Sequence, residues 1–70
     1  MFEYYCDVEI TPNLIVLMDE LLKREEWEVY LEDSPYVNHT IIHIITMNEM
    51  KWRVSSLIHE YYYNCIVREA

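Results

Sequence analysis

The spacing of apolar residues in this chain switches back and forth between two and about 3.6, and that succession limits its fold more than any other feature. Phe2, Tyr4, Cys6, Val8 and Ile10 alternate with Glu3, Tyr5, Asp7 and Glu9, the signature of a strand with one buried and one wet face. Thr11 then offers a capping hydroxyl and Pro12 fits the first helical position. Leu14, Met18, Leu21 and Leu22 recur at helical spacing, widened by Ile15 and Leu17, so a helix is expected over Pro12 to Glu26. Trp27, Val29 and Leu31 alternate with Glu28, Tyr30 and Glu32, which returns the period to two and predicts a second strand. Asp33 to Asn38, containing Ser34 and Pro35, reads as a turn.

Thr40 to Met47 is rich in isoleucine on both sides, as expected of a central strand flanked by neighbours. Thr46 and Glu49 have capping-box spacing, with Asn48 as a competing cap. Met50, Val54, Leu57, Ile58, Tyr61 and Cys65 follow on one helical face, which predicts a second helix reaching Arg68. The expected fold is therefore α+β: a single two-layer βαββα domain over residues 1–70. Its three-stranded antiparallel sheet has order 1-3-2 with both helices on one face, a ferredoxin-like arrangement without the fourth strand. An order of 1-2-3 would leave the isoleucine-rich strand at an aggregation-prone edge.

Seventy residues are too few for two cores. The chain contains no glycine, so Gly-rich phosphate loops, dinucleotide fingerprints and nucleophile elbows are excluded. Two cysteines, Cys6 and Cys65, are too few for a disulfide framework, and the first residues lack the basic start and apolar run of a signal peptide. A reduced, cytoplasmic protein is expected. Apolar runs such as Leu14 to Met18 fall far short of the roughly twenty residues that span a bilayer.

Catalytic and metal constellations fail on spacing. His39 and His43 share a strand face but stand about 13 Å apart, too far to chelate one ion. His59 and Glu60 open a zinc-protease helix motif, yet Tyr63 occupies the second histidine's position. Cys6 lies on the inward face of the first strand and Cys65 on the core stripe of the second helix, where free cysteines act as small apolar residues. No enzyme, cofactor or metal site is expected.

Charge carries more information. Thirteen Asp and Glu against five Lys and Arg give a net charge of −8, which disfavours nucleic acid and anionic membranes as direct partners and favours a basic protein. All five basic residues, Lys23, Arg24, Lys51, Arg53 and Arg68, fall on the expected helices. Period-two alternation turns Glu3, Tyr5, Asp7, Glu9, Glu28, Tyr30 and Glu32 towards the helix-free sheet face, with Asp33 in the following turn. In the 1-3-2 order these carboxylates form two rails about 10 Å apart across an uncharged third strand. Such rails can satisfy Lys and Arg side chains that otherwise grip phosphates, with Tyr5 and Tyr30 as rigid anchors.

In size and acidity the chain resembles small phage-encoded inhibitors that block host nucleic-acid-binding enzymes, including restriction and CRISPR defence. The resemblance implies a non-enzymatic inhibitor acting in the host cytoplasm. Trp52, His59, Tyr62 and Tyr63 exceed what one helical stripe can bury, which marks a second surface. With the outer edge of the first strand, that surface supports the alternative of a homodimer or adaptor.

Overall fold

In the computed structural model, which describes residues 1–70, β1 spans Phe2–Glu9 and buries Tyr4, Cys6 and Val8 in strict alternation. Helix α1 (Pro12–Leu22) starts as its sequence directs: the Thr11 side chain accepts from the Asn13 N–H, and Pro12 stands at the first helical position. It ends four residues before the expected Glu26. Glu25 and Glu26 would place two negative charges at the negative pole of a longer helix. A turn closed by the Trp27 N–H and the Arg24 carbonyl instead drops Trp27 into the core. The buried stripe of α1 is Leu14, Leu17 and Leu21; Leu22, expected inside, is exposed.

Strands β2 (Glu28–Asp33) and β3 (His39–Thr46) follow, joined by a turn in which Asn38 takes φ 61°. In a chain without glycine, asparagine is among the few residues that enter the left-handed region at modest cost. Helix α2 (Lys51–His59) lacks the expected capping box. The Thr46 hydroxyl donates to the Asn48 carbonyl, and Met50 is the N-cap without any side-chain bond. The buried Tyr4 hydroxyl accepts from the Met50 N–H at 2.9 Å and so ties the start of α2 to β1.

The second helix stops at His59, far short of Arg68, and the released chain forms a fourth strand, β4 (Arg68–Glu69). Tyr61, Tyr62, Tyr63 and Asn64 are mediocre helix formers. The Tyr62 hydroxyl instead donates to the Glu9 carbonyl at 2.7 Å and lies 3.1 Å from the Thr11 hydroxyl, which holds the segment against the end of β1. Val67 can then enter the core.

The sheet order is β2-β3-β1-β4, antiparallel throughout. It contains the expected 1-3-2 order and adds a strand outside β1, so the sheet has four strands rather than three. β1 and β2 run parallel with β3 between them, the split βαβ arrangement. Tyr4, Cys6, Val8, Ile42 and Ile44 share one core cluster with side chains from both helices, so both helices cover the same sheet face. The opposite face carries no helix.

Candidate functional site

The register of the sheet places the open-face residues in rows. Glu3 and Glu28 flank Ile45, Tyr5 and Tyr30 flank His43, and Asp7 and Glu32 flank Ile41. Glu9 lies opposite His39 at the end of β1. Seven of the eight residues expected to form the acidic surface, Glu3, Tyr5, Asp7, Glu9, Glu28, Tyr30 and Glu32, therefore share one face. Asp33 does not. It pairs with Thr40, which is buried on the covered side, and period-two geometry turns Asp33 the same way.

The third strand between the rails is not inert. His43 Nδ1 lies 3.0 Å from Glu3 Oε2 and its Nε2 lies 2.6 Å from Glu32 Oε1, so one ring bridges the two rails. Tyr30 stacks on that ring at 4.5 Å with 3° between planes, and Tyr5 stacks on it at 6.1 Å. The Tyr30 hydroxyl donates to Glu3 Oε2 at 3.3 Å. Loss of solvent and then the neighbouring Glu3 carboxylate raise the Tyr30 phenol above its ordinary value, so it remains a neutral donor. His39 Nδ1 lies 2.7 Å from Asp7 Oδ1, and the Ser34 hydroxyl donates to the other oxygen of Asp7.

Three of the five rail carboxylates, Glu3, Asp7 and Glu32, are thus held by partners within the face. Glu9 and Glu28 are exposed and make no ion pair or side-chain hydrogen bond. The two histidines were visible in the sequence, and alternation from His39 places His39, Ile41, His43 and Ile45 on one face. Their bridging role emerges only once β3 is set between β1 and β2.

Arg68, expected on the second helix, lies on β4 opposite Tyr5 and so stands beside the open face as its one Lys or Arg. It shares with Tyr5, Asp7, His39, Tyr36 and Cys65 an open groove of about 730 Å³ alongside β1. The outer edge of β1 is not free for a partner strand. β4 takes it at Tyr4 and Tyr5, the Ala70 N–H donates to the Glu3 carbonyl, and the Tyr62 hydroxyl occupies the Glu9 carbonyl.

The aromatic surface expected on the second helix is dispersed. Trp52 remains on α2, 84% exposed, and Tyr63, equally exposed, lies beyond the helix. Tyr62 is half-buried as an anchor for the C-terminal segment. His59, the last residue of α2, has Nε2 2.8 Å from the Cys65 carbonyl. Cys65 lies off the helix and is half-buried, not enclosed as expected. The Cys65 Sγ lies 3.7 Å from the Asp7 carbonyl; the neighbouring Cys65 thiol and then burial raise Cys6, while proximity to Cys6 lowers Cys65 below the ordinary thiol value.

No three His, Cys, Asp or Glu side chains are grouped to hold a metal ion, and no helix is long and apolar enough to cross a membrane. Comparison with protein-family models matches no family, and comparison with curated proteins matches none of them.

Proposed function

We propose that the protein is a non-enzymatic binding protein whose open sheet face occupies the basic, nucleic-acid-binding surface of a larger protein. This is the mode of a small anti-restriction or anti-CRISPR inhibitor acting in a host cytoplasm. One observation carries the reading: Glu3, Asp7, Glu9, Glu28 and Glu32 stand on a single helix-free face, in two rows separated by one strand. A surface that serves solubility alone intersperses both signs. Here like charges are crowded in a domain with little stability to spare. Two strand steps separate the rails by about 10 Å, comparable with a DNA major groove of about 12 Å. Tyr5 and Tyr30 lie between the charges as flat contacts of low conformational cost.

Glu9 and Glu28, which no internal cation engages, are the steering charges of this reading. Capture from a bacterial lysate with mass spectrometry tests it. Enrichment of nucleic-acid enzymes is the expected result. Glu9→Lys and Glu28→Lys should each slow association with a captured partner by about three- to tenfold at low salt, whereas Glu25→Lys and Glu26→Lys beyond α1 should change it less than about twofold. Equal effects at the two sets of positions would contradict the assignment of the face.

A homodimer or adaptor is the second reading, and exposed Trp52 on α2 is the observation that favours it. A dimeric mass in light scattering that Trp52→Ala abolishes, with no captured partner, would support it over the first.

A further inference from the structure

The open face contains a group whose hydrogen bonds depend on its protonation state. A neutral imidazole carries one N–H and an imidazolium carries two. His43 places one ring nitrogen 3.0 Å from Glu3 and the other 2.6 Å from Glu32, so only the imidazolium donates to both. The ring cannot easily turn away, since Tyr30 lies flat against it and its side chain is 12% exposed. The two carboxylates are not equivalent. Glu3 also accepts from the Tyr30 hydroxyl, while Glu32 has His43 as its one side-chain partner and is 58% exposed.

We infer that His43 is the positioning residue of the acidic face: as imidazolium it straps Glu3 of β1 to Glu32 of β2, and on losing its proton it releases Glu32. The released state carries one more negative charge and binds a cationic partner more tightly, an affinity change that rests on the binding role proposed above. The charged and titratable groups facing the ring are Glu3 and Tyr5 from β1 and Tyr30 and Glu32 from β2. Asp7 and Glu28 occupy the adjoining rows, and Arg68 on β4 stands beyond Tyr5. No helix contributes to this side. His39 provides an internal comparison, because its single carboxylate contact to Asp7 needs one N–H and survives in either protonation state.

The test pairs nitrogen-15 spectra of the free protein with binding of a fluorescent deca-arginine peptide at about pH 5.5 and about pH 8.0. The strap predicts both His43 nitrogens protonated at the lower pH, and Nε2 losing its proton in step with a shift of the Glu32 signals. Peptide affinity should rise about fivefold between the two pH values, as expected for one further charge at contact range. His43→Gln and His43→Phe, which keeps the ring stack without the N–H groups, should each reduce that step by at least about twofold and remove the Glu32 shift, whereas His39→Gln, which deletes a second charge change on the same face, should leave the Glu32 shift in place. A single protonated nitrogen at the lower pH, or a pH step unchanged in both His43 variants, would overturn the inference. Coupled titration of His43 and Glu32 without any peptide binding would uphold the strap and count against the binding role.

Discussion

Tyr4 shows how one side chain serves both layers: its ring is fully buried beneath the helices, and its hydroxyl accepts from the Met50 N–H where α2 begins without a side-chain cap. Tyr4→Phe removes the acceptor and leaves a donor unsatisfied at the helix start, so urea unfolding should show a loss of about 1–3 kcal/mol. A change below about 0.5 kcal/mol would mean that water reaches the Met50 N–H. The thiol pair sets a second expectation. Folded Cys65 gives up its proton below the ordinary thiol value of 9.0, whereas folded Cys6 keeps its proton above it. The native pair therefore holds fewer protons than the unfolded chain just below that pH and more above it. Its contribution to stability rises as pH approaches 9.0 and falls beyond. Unfolding curves from pH 7 to 10.5 should show this maximum in the wild type and lose it in Cys6→Ala; matching profiles would deny the coupling. These residue-scale couplings were not legible in the sequence, because each joins positions far apart in the chain.

At the scale of elements, β1 was legible because one buried face imposes strict alternation, β3 because isoleucines on both of its faces mark a central strand, and α1 because Thr11, Pro12 and an apolar stripe agree. The end of α2 was not. Tyr61 and Cys65 continue the helical spacing of Val54, Leu57 and Ile58, so periodicity cannot separate a longer helix from a segment folding back along β1. A strand of two residues, Arg68 and Glu69, has no period to detect. What decides the outcome is tertiary: the Tyr62 hydroxyl finds an acceptor in the Glu9 carbonyl at the end of β1, and Val67 finds space in the core. Tyr62→Phe should therefore loosen the C-terminal segment while sparing the rest. Amide exchange at Ala70, whose N–H donates to the Glu3 carbonyl, should accelerate at least about fivefold, with β3 amides little changed. Uniform acceleration would mean that β4 unfolds only with the whole domain. The same misplacement hid Arg68 beside the acidic face and made the outer edge of β1 look free.

For the whole molecule, five carboxylates gather on the helix-free sheet face, beside which Arg68 is the one Lys or Arg. Alternation assigned Glu3, Asp7, Glu9, Glu28 and Glu32 to one side before any contact was known, and the 1-3-2 order set them in two rails. Their internal partners could not be read in advance, since Glu3, His43 and Glu32 come from three separate strands that meet only through register. The proposed function requires this face to take the place of nucleic acid on a basic protein. Its most direct test is displacement of a fluorescent DNA duplex from a captured nucleic-acid-binding partner, titrated with this protein at two salt concentrations. Stoichiometric displacement is expected, weaker at high salt because surface charges are screened over about 8 Å at physiological ionic strength. A partner saturated with this protein that still binds the duplex with unchanged affinity would contradict the claim, however tight the complex.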